Sequence, residues 1–407
     1  MKQPELNHIY QGNCLDVMRT WPDECVDCVV TSPPYWNLRN YEIPSSHWPQ
    51  IAFSPMPGLP VITIPEMECC YGLEESIEAY IGYSVLIFQE VFRVLKKAGT
   101  LWLNIGDSYA SSGKNRTEKQ ATENSNLQGG LSSQLSILKQ NKKSGSGIKQ
   151  KNMIGVPWRM AFALQASEWY LRQDIIWAKP NPMPESVIDR CTRSHEYIFL
   201  FSKSKKYYFD QFAIAEQYKE STYSAFGRNR KGYGDGTGFV KSENYSSKKR
   251  KPKEWKRIPA GWDIRKGSHS TIDLNTENGR KMNTADKRTG GSGSGLHNRS
   301  GNYNTNGELL STGYANKRDV WTISTQAFPG AHFATFPEKL IIPCILASCP
   351  DGGIVLDPFM GAGTTALVAK KLGRNYIGIE IKPEYIELTK DRLNEEIPLF
   401  KDVIYGA

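Results

Sequence analysis

Hydrophobic positions along the chain switch repeatedly between two periods. Ile77, Ile81, Val85, Phe88, Phe92 and Leu95 recur every three or four residues from Ser76 onward, which predicts a helix with one apolar face. Lys96 and Lys97 in a last turn, with Gly99 beyond them, predict where it closes. Residues 9–18 predict a short strand, a turn at Gly12-Asn13 and a helix start, and Gly155-Val156-Pro157 predicts another helix N-terminus. Strands are predicted at 26–30, 100–105, 169–178, 195–202, 354–356 and 376–379, where β-branched and aromatic residues form short apolar runs. Thr335 and Glu338 have capping-box spacing ahead of an apolar helix at 340–348, and a helix at 366–372 is closed by Gly373. Strands alternating with helices predict an α/β fold: a Rossmann-like, doubly wound, mostly parallel sheet.

Three stretches break the pattern. Residues 43–65 hold many prolines and no period, which predicts an ordered loop. Residues 108–151 are rich in Ser, Gly, Asn, Gln and Lys and read as a mobile insertion. From 107 to 151 there are eight Lys/Arg against three acidic residues; a solvated linker and a loop that orders on a nucleic acid both fit. Residues 216–320 carry 21 Lys/Arg against 11 Asp/Glu, interleaved with Tyr223, Phe226, Tyr233, Tyr245, Trp255, Trp262, Tyr303 and Tyr314. Cations for phosphates, with flat side chains and amides for bases, suit a nucleic-acid surface, and a disordered basic insertion is the plainer alternative. The chain thus divides into 1–215, 216–325 and 326–407.

Composition narrows the class. The 407 residues carry a formal charge of +9, which favours a polyanionic partner. No apolar run has the length needed to cross a bilayer. The first residues form no secretory segment, and eight cysteines in a chain this long make no disulfide framework, so a reducing, cytoplasmic setting is expected. Cys25, Cys28, Cys69 and Cys70 form a conceivable zinc set, but Cys28 falls inside an apolar strand and adjacent cysteines are unusual ligands; buried thiols and no metal are expected.

Two loops carry candidate chemistry. Thr31-Ser32-Pro33-Pro34-Tyr35-Trp36 follows the strand at 26–30. Two prolines stiffen it and remove two N–H groups, leaving a hydroxyl, rigid carbonyls and aromatic faces. That set suits a flat, amino-bearing ring; a proline-rich turn packed on the core is the alternative reading. Asp357-Pro358-Phe359-Met360-Gly361-Ala362-Gly363-Thr364-Thr365 follows the strand at 354–356. Its glycines let backbone approach a ligand, and Glu380 ends the next strand about 20 residues further on, where an acid binds ribose hydroxyls. G-x-G-T-T in place of G-x-G-x-x-G argues against nicotinamide.

Together the two loops resemble those of the S-adenosylmethionine-dependent DNA amino-methyltransferases, and their order, catalytic loop first, is similar to the circularly permuted β group of bacterial and phage restriction-modification methylases. The resemblance covers roughly 1–110, 150–210 and 330–395. It implies that Ser32, Pro33, Pro34 and Tyr35 are catalytic. It places Asn13, Phe333, Thr335, Phe336, Asp357, Phe359, Gly361, Gly363, Thr364, Thr365 and Glu380 around S-adenosylmethionine. Asn13 stands where the family often has Asp. The loop from Lys179 to Ser186 resembles the segment lining the target-base pocket, and 216–325 occupies the place of the target-recognition region. Ser32 is similar to the first residue of the cytosine-N4 enzymes; adenine-N6 enzymes more often carry Asp or Asn. The implied activity is methyl transfer to the N4 amine of a cytosine flipped out of double-stranded DNA. A cognate restriction endonuclease and a homodimer are implied as partners. Adenine-N6 methylation, a non-catalytic DNA binder and a small-molecule or RNA methyltransferase are the alternatives. His195 and Cys344 are expected to be structural, since amine methylation needs neither a histidine base nor a thiolate.

Overall fold

The computed structural model of the protein describes residues 1–38, 43–110, 148–217, 314–326 and 336–396. Most of the 108–151 and 216–320 segments, together with Phe333 and Thr335, lie outside these residues. In chain order the elements are β1 (His8–Gln11), α1 (Cys14–Arg19), β2 (Val26–Thr31), β3 (Ser46–Trp48), β4 (Ile51–Phe53), β5 (Ile62–Ile64), β6 (Met67–Cys69), α2 (Ile77–Val94) and β7 (Leu95–Ile105). They continue with α3 (Val156–Ala166), β8 (Tyr170–Ala178), β9 (His195–Ser202), β10 (Glu216–Gln217), β11 (Tyr314–Ala315), β12 (Val320–Thr322), α4 (Glu338–Ser348), β13 (Ile354–Asp357), α5 (Thr364–Lys371), β14 (Asn375–Glu380) and α6 (Pro383–Glu396).

Eight strands form one sheet in the order β1-β14-β13-β2-β7-β9-β8-β12. β9 is antiparallel to both its neighbours, and the other pairs are parallel. Successive strand residues supply opposite cores, as the pleat requires. Leu101, Leu103, Phe199 and Phe201 pack with Met18, Ile77, Phe88 and Met160 on one face. Trp102, Ile198 and Leu200 pack with Leu340, Ile345, Leu367 and Leu393 on the other. The strands are apolar on both faces because helices cover both. This is the doubly wound, largely parallel sheet expected.

Three local expectations change. The long helix begins at the Ser76 cap, whose Oγ accepts from the Ala79 N–H at 3.1 Å, but ends at Val94. Lys96 and Lys97 belong to β7, because Leu95 pairs with Val26 and Lys96 bridges Asp27 at 2.9 Å. A Cβ on Gly99 would lie 2.5 Å from Leu95 Cδ1, so this glycine serves a close approach rather than a helix cap. Residues 43–65 are not a plain loop: β3 pairs with β6 and β4 with β5, and Trp48, Ile51, Phe53 and Ile64 join the core beside α2. α4 is capped at Pro337 with no side-chain cap bond. Glu338 faces Lys371 at 2.9 Å and Arg392 at 3.4 Å, an ion pair between helices, and Thr335 of the expected capping box lies outside the described residues.

Candidate active site

β2 and β13 are neighbours, with Leu356 opposite Val29, so the two sequence loops emerge side by side at the carboxyl edge of the sheet. Asp357 ties them together. Its carboxylate accepts from Thr31 Oγ at 2.6 Å, from Thr365 Oγ at 2.7 Å and from the Phe359 N–H at 3.0 Å. It is 1% exposed, and burial pushes its carboxyl up to about 6 despite those three donors. Asp357 and Thr365 are thus hydrogen-bonded to each other and to the Ser32 loop within the protein. Thr364 is also turned inward, accepting from Arg392 at 2.9 Å.

A second bridge is aromatic. The Phe359 ring stacks on Tyr71 at 5.6 Å and 15°, and Tyr71 stacks on Tyr80 at 5.3 Å and 19°. The Tyr80 hydroxyl donates to the Pro34 carbonyl at 2.8 Å. Of the two proline carbonyls, Pro34 is thus occupied, while Pro33 has no protein donor among the described residues.

Ser32 Oγ lies 3.5 Å from the Tyr35 hydroxyl. That hydroxyl donates to Glu196 at 2.8 Å, with Asn104 Oδ1 3.3 Å away. Glu196 in turn is paired with Lys179, whose Nζ lies 4.2 Å from the Trp177 ring centroid. Burial first, and the Glu196 charge next, hold the Tyr35 phenol well above its ordinary value, so it remains a donor. Its ring is half-buried against the first core.

The acid expected at the end of β14 is in place. Glu380 Oε1 accepts from the Ile381 and Lys382 N–H groups and Oε2 from the Gly361 N–H, all at 2.9 Å. One Oε2 lone pair is left for a further donor. Gly361 is left-handed (φ 51°) with open space where a Cβ would stand, apart from the Phe359 carbonyl oxygen 3.9 Å from it. Gly363, also expected to admit a ligand, differs: a Cβ there would lie 2.1 Å from Thr389 Cγ2, so its missing side chain seats α6. Asn13 caps α1 through the Leu15 N–H at 2.9 Å and donates to Ser46 at 3.3 Å. Phe336 packs on the second core. A braced acid, an open left-handed glycine and neighbouring aromatic rings at one sheet edge fit a nucleoside with a ribose diol.

Glu74 lies beneath the Ser32 loop, with both carboxyl oxygens 3.0 Å from the Gly72 N–H and its backbone carbonyl accepting from Trp36 Nε1. Burial raises its carboxyl to about 8. A raised carboxyl means that the folded chain holds the proton more tightly than the unfolded one. The stability it contributes is full below about 4, where the unfolded group titrates, and is lost as pH rises through the folded value. Thermal stability is therefore expected to fall between about pH 4 and 6 through Asp357, and on towards about pH 8 through Glu74. Glu74→Gln should flatten the upper part of that curve in calorimetry; an unchanged slope between pH 6 and 8 would contradict the assignment.

The match to known proteins agrees with this geometry. The model of the DNA methylase family (N6_N4_Mtase) matches residues 26–391. The chain belongs to that family. This methylase is 34% identical to the type II methyltransferase M.Cfr9I of Citrobacter freundii over 95% of its own length and 88% of the relative's. It is 35% identical to M.SmaI of Serratia marcescens over 95% and 90%. Among solved structures it overlaps the PvuII DNA methyltransferase (cytosine-N4-specific) with a TM-score of 0.48 at 16% identity, covering 95% of this chain and 85% of that one. It is a DNA methyltransferase using S-adenosylmethionine.

Several residues of the methylase site were not legible in its sequence. Glu196 and Asn104 reach Tyr35 from β9 and β7, and Lys179, just after β8, holds Glu196; the sequence signal for this group was the resemblance of the Lys179 loop to a base-pocket segment. His195, one residue earlier, meets the Tyr197 ring edge-on at 5.4 Å. Cys344 is buried, which pushes its thiol far above the ordinary value and leaves it unsuited to nucleophilic attack. Among the described residues no cluster of three or more His, Cys, Asp or Glu is placed to hold a metal ion, and no helix is long and apolar enough to cross a membrane.

Proposed function

We propose that this methylase transfers methyl groups to the exocyclic N4 amine of cytosine in double-stranded DNA. The observation that carries the reading is Ser32: a half-buried hydroxyl on a stiff loop, beside a Pro33 carbonyl with no protein donor among the described residues. Two acceptors of this kind match the two N–H bonds of an amine. The amine lone pair is delocalised into the ring, and holding both N–H bonds favours the pyramidal nitrogen that can react. Positioning and charge stabilisation supply the acceleration, and no covalent intermediate with the protein is needed. When bound, S-adenosylmethionine supplies an electrophilic methyl group on a sulfonium. Glu380 would hold its ribose through the open lone pair, with Gly361, Phe359, Phe336 and Asn13 around it, while Asp357, Gly363, Thr364 and Thr365 act as the brace. Phe333 and Thr335 fall outside the described residues and are assigned here by the family resemblance alone. The base is paired inside the duplex, so it must be flipped out, and Tyr35 would stack on it. The family resemblance implies a site-specific modification enzyme of the cytoplasm working beside a cognate endonuclease, and the relatives it matches are type II methyltransferases.

Mass spectrometry of DNA digested after incubation with enzyme and S-adenosylmethionine should show N4-methylcytosine. N6-methyladenine in its place would assign adenine as the target, and no methylated base with any DNA would favour a non-catalytic binder.

Target recognition is assigned to the basic segment within 216–325. Replacing 218–313 by a short linker is expected to abolish selective DNA binding and leave S-adenosylmethionine affinity unchanged. The affinity of the intact enzyme should fall linearly on a log–log plot against salt, through counterion release. A linker variant that still methylates its own site selectively would place recognition elsewhere.

A further inference from the structure

We infer that Glu196 is a positioning residue that sets the direction of the Ser32 hydroxyl through Tyr35. The inference rests on the reading of Ser32 as an acceptor for the target amine. A serine hydroxyl rotates freely and can donate as well as accept. If its hydrogen pointed at the amine nitrogen, it would engage the lone pair that must react. Something has to turn that hydrogen away.

The side chains around Tyr35 do this. The Tyr35 hydroxyl has one hydrogen and two protein acceptors, Glu196 Oε2 at 2.8 Å and Asn104 Oδ1 at 3.3 Å. The closer, carboxylate partner is the stronger. Asn104 cannot offer its amide nitrogen to the phenol, because Nδ2 donates to Glu196 Oε2 at 3.2 Å and to the Tyr197 carbonyl at 3.1 Å. Glu196 is held by Lys179 on its other oxygen, and Lys179 is steadied over the Trp177 ring. Whichever acceptor takes the phenol hydrogen, the phenol oxygen is left to accept, and Ser32 Oγ is the hydroxyl within 3.5 Å of it. The Ser32 hydrogen is drawn back into the protein, and its lone pairs face the amine. Gly106 leaves room for the arrangement: a Cβ there would lie 2.8 Å from Tyr35 Cε2 and 3.4 Å from Glu196 Cδ.

The test is a set of single-turnover methylation rates on unmethylated DNA for Tyr35→Phe and Glu196→Gln, each alone and combined with Ser32→Ala. Alone, each should lower the rate roughly 10- to 100-fold, the kinetic equivalent of one hydrogen bond to a charged group. S-adenosylmethionine affinity and the KM for DNA should hold, since Tyr35→Phe keeps the ring assigned to stack on the base and Glu196 is assigned to neither ligand's binding. On the Ser32→Ala background the same changes should cost less than about twofold, because no hydroxyl remains to be oriented. A merely structural role would carry its full cost into that background. The relay is overturned if either single variant keeps the normal rate while Ser32→Ala is slow, or if the losses multiply. If Ser32→Ala is itself as fast as the parent, the acceptor reading fails and takes the relay with it.

Discussion

Ser32→Ala is expected to slow methyl transfer about 10²–10³-fold, the usual consequence of removing one preorganised hydrogen-bond partner from a transition state. The structure makes this a clean experiment. Ser32 Oγ has one protein partner among the described residues, the Tyr35 hydroxyl, at the outer limit of hydrogen bonding, so its loss should leave melting temperature and S-adenosylmethionine affinity unchanged. The Pro33 carbonyl remains as the second acceptor, which is why activity should be reduced rather than abolished. Single-turnover rates measured beside calorimetric cofactor binding decide the matter. A variant that is slow only because it has lost the cofactor, or one that is not slow, would remove Ser32 from the chemistry.

Asp357→Ala is expected to act on the fold. Three donors lose their acceptor at once: the Thr31 and Thr365 hydroxyls and the Phe359 N–H. Each buried group left unsatisfied costs about 1–3 kcal/mol, and release of a carboxylate that burial disfavours offsets part of this. A net loss of about 2–4 kcal/mol is expected, with weaker S-adenosylmethionine binding as a consequence of loosened loops. Asp357→Asn keeps an acceptor and the shape, so it should be milder and should remove Asp357's share of the stability change between about pH 4 and 6, leaving that of Glu74. Denaturant titrations of both variants, read beside cofactor affinity, provide the check. An alanine variant of normal stability that has lost only cofactor binding would mean that Asp357 touches the ligand directly.

Much of the architecture was legible because the signals are local. Helix periodicity from Ser76, glycine after α5 and the β-branched runs each depend on residues within a few positions of one another, and the corresponding elements form. The misreadings arose where distant partners outweighed a local signal. Lys96 looks like the end of a helix until Asp27 and the β2 ladder claim it for a strand. Thr335 and Glu338 look like a capping box, yet Glu338 is drawn to Lys371 and Arg392 on helices 33 and 54 residues away in sequence. Residues 43–65 lack a period because their short strands are paired two by two and only partly buried.

The amino-acid sequence by itself determined the doubly wound α/β class, the two loops that resemble the family's catalytic and cofactor loops and their order along the chain, because each is written in a contiguous run of residues. Only the tertiary structure shows which members of those runs are already engaged by other parts of the protein. Asp357 bonds Thr31, Thr365 bonds the Val30 carbonyl and Gly363 packs against Thr389 in space. Glu196, silent in sequence, arrives beside Tyr35 because β9 runs antiparallel to β7 and sets Tyr197 opposite Ile105. Hydrogen-bond satisfaction in a buried site is a property of three-dimensional neighbours, and no periodicity encodes who they are.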